Sequence, residues 1–382
     1  MSKQTICLNM IVKNESRIIE RCISSVKHLI DTWCIVDTGS TDGTQDIIKK
    51  LLADKPGELI ERPWVNFGHN RNEALRFGEK WGDWILLIDA DMVLKDEGFN
   101  RNILNQEVEG YDVIQDNHGI RYYNFRLLNA KKNWQCVGVT HEYYTPAAGI
   151  SKREQLDSIW FLDVSDGGSK SDKFERDIKL LTQGLIDEPN NHRYMFYLAQ
   201  SYRDTQQWEL AIEWYLKCAR ESKWDEESWY ADYMAGWCMR NTDRTIEEIS
   251  NQLLKAWMRR PWRAESIYTL SEEYQKRKMW PQAYTAAKAA ASTDYPKGDV
   301  LFITAGVYEG GAIDAFAVAS YWHQKYDESI TACQKLLESN YGQVHKNRIR
   351  LNLWFAERAL GYYNEDALHH FIREKKQNLK SF

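Results

Sequence analysis

Asp89 and Asp91 stand one residue apart, directly after the apolar run Trp84-Ile85-Leu86-Leu87-Ile88. Two carboxylates at that spacing can share a divalent cation and the ligand it carries. The run reads as a strand covered on both faces, as in a parallel sheet. Open parallel sheets bind ligands beyond the carboxyl ends of their strands. Alternate strand residues point the same way, so both carboxylates are expected to face one site. The competing reading is a solvated turn, where Asp is common. Asp37 ends a second apolar run and opens Asp37-Thr38-Gly39-Ser40-Thr41-Asp42-Gly43-Thr44. A strand entering a Gly-rich turn and then a helix sets free N–H groups beside a ligand. Asp37 can then accept a hydrogen bond from a base or ribose, while Ser40 or Asp42 caps the helix. Arg71, in Phe67-Gly68-His69-Asn70-Arg71-Asn72, offers a planar fork of donors to a phosphate or base, or makes a surface ion pair.

Positioning these residues takes alternating strands and helices. Residues 6–12, 33–37, 59–62 and 84–88 have strand composition, and 16–29, 44–52 and 70–79 have helical spacing. That alternation predicts an α/β fold over residues 1–185, a mostly parallel sheet with helices on both faces. From residue 186 the strands stop. Leu198-Ala199-x-x-Tyr202 followed by Trp208-x-x-Ala211 recurs as Leu270-Ser271-x-x-Tyr274 followed by Trp280-x-x-Ala283, an offset of 72 residues. Two periods of about 36 are close to the ~34 of tetratricopeptide arrays. Coincidence among Trp-rich helices is the alternative. Residues 224–261 fill the middle period poorly, Ala317, Tyr326 and Ser329 suggest a further degenerate unit, and 347–360 reads as a closing helix. An all-α repeat domain over 186–382 follows, presenting a concave face that binds a protein partner or braces its neighbour.

The composition narrows the function classes. With 382 residues and a net charge of −5, and no long basic run, phosphate-driven nucleic-acid binding is not expected. The 16 Trp and 21 Tyr suit helices packed through large side chains, or a surface that stacks on sugars or bases. Seven scattered cysteines without a CxxC pair give neither a zinc site nor a disulfide framework. Reduced thiols fit a cytoplasmic protein. Neither a signal peptide nor a transmembrane segment is expected.

Four ordered segments together resemble a known family: Asn9-Met10-Ile11-Val12-Lys13-Asn14-Glu15, Val36 to Thr44, His69-Asn70-Arg71-Asn72-Glu73-Ala74, and Leu87-Ile88-Asp89-Ala90-Asp91. Their order and spacing are similar to the signatures of family 2 glycosyltransferases with the GT-A fold, over about the first 165 residues. Residues 166–177 followed by helical repeats resemble a subgroup that fuses the transferase to tetratricopeptide repeats. The resemblance implies that Asp37 contacts the base, commonly uracil, that Asp89 lies near the ribose, and that Asp91 binds Mn²⁺ or Mg²⁺ bridging the diphosphate of a nucleotide-sugar donor, with a UDP-sugar the expected one. Such a cation takes one or two carboxylates plus phosphate oxygens and stabilises the leaving nucleotide.

The family often carries an acid after the metal motif. In Val137-Gly138-Val139-Thr140-His141-Glu142-Tyr143-Tyr144 this implies Glu142 as the base of an inverting transfer. His141 is the other candidate, as base or metal ligand, or as a neutral histidine held by hydrogen bonds. Many relatives supply a further metal ligand as a downstream histidine, but this chain reads Phe161-Leu162-Asp163-Val164-Ser165-Asp166-Gly167-Gly168. Asp163 and Asp166 are the acids available there. Lys170 and Lys173 can close over the diphosphate, or lie on a solvated loop. The acceptor implied is a hydroxyl on a glycan or protein. The alternative is a repeat-based interaction scaffold with a degenerate transferase domain. A nucleotidyltransferase shares the architecture but ordinarily wants a more Gly-rich, basic N-terminal loop.

Overall fold

The computed structural model describes residues 4–149, 152–167 and 173–361. The chain divides into two compact units, Met1–Asp187 and Glu188–Phe382. The break expected after residue 185 falls inside a helix, Lys173–Asp187, and the units part at its end.

In the first unit, β1 (Ile6–Val12), β2 (Thr32–Asp37), β3 (Gly57–Glu61) and β4 (Trp84–Leu87) alternate with α1 (Ile19–Val26), α2 (Thr44–Leu51) and α3 (Phe67–Gly78). These four strands pair in parallel in the order β3-β2-β1-β4. Helix α1 forms because Ile19, Cys22, Ile23 and Val26 fall on one face, and all four are buried. Burying one such isoleucine is worth about 1.5–3 kcal/mol. Leu8, Met10, Ile35 and Leu86 join them in one core layer. Leu75, Ile85, Leu87, Phe125, Leu128 and Trp134 form a second layer. Asn66 caps α3 by accepting the His69 amide at 2.8 Å. Asp42 accepts the Thr44 amide at 3.1 Å where α2 begins.

Beyond β4 the expected alternation gives way to strands: β5 (Met92–Asp96), β6 (Gly110–Asn117), β7 (Ile120–Asn129), β8 (Trp134–Val137), β9 (Tyr143–Pro146) and β10 (Arg153–Asp163). The sheet continues β4-β7-β6-β10-β5, with β7 antiparallel to both neighbours and β10 parallel only to β6. The parallel expectation thus holds for the half that carries Asp37 and Asp89, and the remainder is mixed. The β6–β7 hairpin turns at His118 and Gly119, both at positive φ (51° and 90°), as a tight hairpin requires. Strands β8 and β9 form a separate ribbon, and the helix Lys173–Asp187 is α4.

The second unit is helical. α5 (His192–Asp204) pairs with α6 (Trp208–Glu221), α7 (Asp225–Met239) with α8 (Ile246–Arg259), α9 (Glu265–Lys276) with α10 (Trp280–Ala291), and α11 (Ala312–Trp322) with α12 (Tyr326–Leu337). A short α13 (Asn340–Val344) and α14 (Lys346–Ala359) follow. Leu198 and Leu270 are buried at matching places in α5 and α9, and Trp208, Trp280 and Tyr326 each open a second helix. Gln206, Lys278 and Gln324, each two residues earlier, all adopt φ near +60° (59°, 58° and 61°). The repeated motif is therefore a tetratricopeptide-type helical hairpin with a repeated turn. Residues 292–306 lengthen the third connection. Buried Arg263 secures that segment through Asp299 and the Leu301 and Phe302 carbonyls, at 3.2–3.3 Å.

Candidate active site

Asp37 ends β2 fully buried. Its Oδ1 accepts the amides of Gly39 (2.9 Å) and Ser40 (2.8 Å) and the Gln45 side chain (3.1 Å). Gly39 and Gly43 at positive φ (103° and 88°) shape that turn. Asp37 Oδ2 is buried and has no hydrogen-bond partner among the described residues. An acceptor in that state carries a desolvation cost that a donor group would remove.

Strand β4 stops at Leu87, and Asp89-Ala90-Asp91-Met92 is a turn closed by the Met92 amide on the Asp89 carbonyl at 3.0 Å. The two carboxylates therefore do not alternate along a strand as the spacing predicts. Asp89 faces two guanidiniums: Oδ1 accepts Arg71 Nη2 at 2.8 Å and Oδ2 accepts Arg126 Nη1 at 3.2 Å. Burial alone would raise the Asp89 carboxyl, but Arg71 and Arg126 hold it well below the usual carboxylate range. Asp91 takes the Val164 amide on its carbonyl at 3.0 Å. Its carboxylate lies against Gly167, where an added Cβ would come within 3.1 Å of Oδ2.

Arg71 does not reach outward from α3. Nε donates to Glu142 Oε1 at 2.7 Å while Nη2 holds Asp89. Burial opposes the charge on Arg71, yet Tyr144, Asp89 and Glu142 raise the guanidinium well above its ordinary value. Glu142 Oε2 accepts no hydrogen bond among the described residues.

The Glu142 loop is set from two sides. Asn72 exchanges two hydrogen bonds with the Cys136 backbone, both 2.8 Å, and the Phe67 amide donates to the Val139 carbonyl at 3.1 Å. Gly68 approaches so closely that a Cβ there would sit 2.3 Å from the Gly138 carbonyl oxygen. From α4, buried Asp177 accepts Thr140 Oγ1 at 3.0 Å and stands 3.5 Å from His141 Nε2. Tyr143 is half-exposed and Tyr144 is largely covered.

The downstream acids separate. Asp163 ends β10, where its Oδ2 accepts Gln115 (3.2 Å) and Asn117 (3.4 Å) and its Oδ1 accepts the Ser165 amide (2.9 Å) and hydroxyl (2.8 Å). Ser165 at φ +60° turns the chain between the two acids. Asp166 is held instead by both terminal nitrogens of Arg21, at 2.8 and 2.6 Å. Lys173 is exposed at the start of α4, and Lys170 lies outside the described residues.

Among the described residues, no three of His, Cys, Asp or Glu form a ready metal cage. Mg²⁺ and Mn²⁺ bound through a nucleotide need fewer, because phosphates supply the remaining oxygens. Asp89 is already matched by two cations, Asp163 by amides and a serine, and Asp166 by Arg21. Asp91 lies against the small Gly167, with Arg21 among the groups that feel its charge.

Sequence reading missed Arg126 and Asp177. Arg126 is the charged residue inside the apolar run Phe125-Arg126-Leu127-Leu128. Asp177 shares a helical face with Leu181, Gly184 and Leu185, and all four are buried. All seven cysteines are buried free thiols, and no helix among the described residues is long and apolar enough to cross a membrane.

Residues 7–163 match the family described as glycosyl transferase family 2, so the first unit carries a domain of that family. A TPR repeat-containing protein from Synechococcus elongatus is 37% identical over 30% of this chain and 28% of its own length. The SPbeta prophage-derived glycosyltransferase SunS from Bacillus subtilis is 26% identical over 61% of this chain and 58% of its own. An uncharacterized glycosyltransferase from Rickettsia bellii is 34% identical over 32% of this chain and 38% of its own. The chain thus spans between about a quarter and three-fifths of these relatives' lengths.

Proposed function

We propose that the first unit transfers a sugar from a nucleotide-sugar donor, expected to be a UDP-sugar, to an acceptor hydroxyl on a glycan or protein, with inversion. The observation that carries this reading is the single guanidinium of Arg71 shared between Asp89 and Glu142. It ties the turn after β4 to a carboxylate whose second oxygen accepts no hydrogen bond among the described residues.

In this reading Asp37 Oδ2 accepts an N–H of the base, the donor its buried position lacks. Asp89, held by two arginines, lines the ribose side. Asp91 would hold Mg²⁺ or Mn²⁺, which supplies charge neutralisation for the diphosphate when bound. Glu142 Oε2 takes the proton of the acceptor hydroxyl as that oxygen bonds to the anomeric carbon. The bond from that carbon to the phosphate oxygen breaks, and the nucleoside diphosphate leaves with its electron pair. A base in this role must lie within ~2.6–3.2 Å of the hydroxyl in the complex. Arg71 fixes Oε1, so Oε2 is the oxygen presented. The helical hairpins of the second unit are read as a surface for a protein partner or protein acceptor.

Two measurements test the reading: calorimetry with UDP, with and without Mn²⁺, and nucleotide release across a panel of nucleotide sugars. Metal-dependent UDP binding with turnover of at least one donor is the expected result. No nucleotide binding and no turnover would favour the scaffold.

A further inference from the structure

Arg126 reaches Asp89 because of an irregularity in the sheet. Strand β7 pairs with β6 as Leu127 opposite Tyr111 and Phe125 opposite Asp112, with a register shift between them. Arg126 is therefore an extra residue, a β-bulge. The core layers record its effect. Phe125 and Leu128, three apart, lie in one layer, and Leu127 lies in the other. A regular strand would put Phe125 and Leu127 on the same face. Bulges beside active sites re-aim side chains in this way.

The re-aimed guanidinium is buried among polar partners. Nη1 donates to Asp89 Oδ2 at 3.2 Å and Nη2 to Gln115 Oε1 at 2.8 Å. Asn124 also donates to Gln115 Oε1, at 3.0 Å, and Gln115 Nε2 donates to Asp163 at 3.2 Å. A chain of hydrogen bonds thus runs Glu142–Arg71–Asp89–Arg126–Gln115–Asp163. It joins the Glu142 loop to the strand end that leads to Gly167 and so to Asp91.

We propose that Arg126 is a positioning residue for the transfer step. By satisfying Asp89 Oδ2, it keeps Arg71 divided between Asp89 and Glu142. Without it, Asp89 has one cation for two oxygens and competes with Glu142 for the donors of Arg71. Glu142 then loses its fixed orientation, while the Asp37 pocket is untouched. The proposal rests on the transferase reading above, and its test separates the two.

The test compares wild type with Arg126→Met, Arg126→Lys and Gln115→Leu, using UDP with Mn²⁺ in calorimetry and the donor that wild type turns over in kinetics. Misplacing a reacting group by ~1 Å costs on the order of 100-fold in rate. Arg126→Met should therefore lose about that factor in kcat, with a clearly smaller loss of UDP affinity because Asp89 keeps Arg71 on its ribose side. Arg126→Lys should recover part of the rate, because it restores a cation at Asp89. Gln115→Leu removes the other anchor of Arg126 and should give a smaller loss of the same kind, which keeps the test decisive if Arg126→Met does not fold. An active wild type with unchanged kcat in Arg126→Met and Gln115→Leu would overturn the proposal alone, as would equal losses of kcat and UDP affinity. A wild type that neither binds UDP nor turns over any donor would overturn the transferase reading, and this proposal with it.

Discussion

Arg71 donates to Glu142 through Nε at 2.7 Å and to Asp89 through Nη2 at 2.8 Å. A helix thus connects a loop acid to the turn after the central strand. Two carboxylates far apart in sequence depend on one guanidinium, which leads to the first expectation. Arg71→Met should leave two partly buried carboxylates short of a partner, at a cost on the order of 1–3 kcal/mol. Thermal or urea unfolding of the variant reads this, and Arg71→Lys should recover only part because it lacks the planar fork.

Gly167→Ala places a methyl group against Asp91, within 3.1 Å of its Oδ2. If Asp91 holds the cation, the variant should need more Mn²⁺ for half-maximal turnover, by roughly tenfold for a ~1.4 kcal/mol penalty. A Mn²⁺ titration of nucleotide release measures it. Asp91→Ala should abolish metal-dependent turnover with the fold intact by circular dichroism.

Gly68→Ala tests the seat of the Glu142 loop. Its Cβ would meet the Gly138 carbonyl at 2.3 Å, and neither backbone can yield cheaply. Overpacking of this kind costs about 1–3 kcal/mol. The loop should shift, so turnover should fall more than UDP affinity does.

The second unit carries its own pH signature. Asp299 is buried, and although burial alone would raise its carboxyl, Arg260, Arg263 and Trp262 hold it below the usual range. The folded value is depressed, so this stabilisation is complete above the unfolded value of about 3.9 and is lost as pH falls through the folded one. Asp299→Asn should lower stability at neutral pH by on the order of 1–3 kcal/mol and flatten the acid limb below about pH 4. Unfolding followed between pH 2 and 8 checks both.

Much of this arrangement was legible in the residues. The runs ending at Asp37 and Leu87 are buried on both faces, so their apolar composition announces the parallel strands. The repeated Leu-x-x-x-Tyr and Trp-x-x-Ala intervals mark the hairpins, because each repeat must bury the same face. Pairing geometry was less legible. Arg126 reaches Asp89 only because β7 gains a residue against β6, and no local pattern encodes such a shift. Asp163 and Asp166 stand three residues apart, yet with Ser165 at positive φ between them they take different partners, Gln115 and Ser165 for one and Arg21 for the other. Arg71 carried the signal of a cation near a ligand, but its partners are acids brought close by folding.

The most direct test of the central claim is Glu142→Gln, which keeps the shape and the Arg71 contact but removes the proton acceptor. Loss of a general base typically costs 10²–10⁴-fold. With the donor that wild type uses, kcat should fall by about that range while UDP binding with Mn²⁺ stays unchanged, and the wild-type product should carry the inverted anomeric configuration by nuclear magnetic resonance. Wild-type kcat in Glu142→Gln, or a retained configuration in the product, would contradict the account.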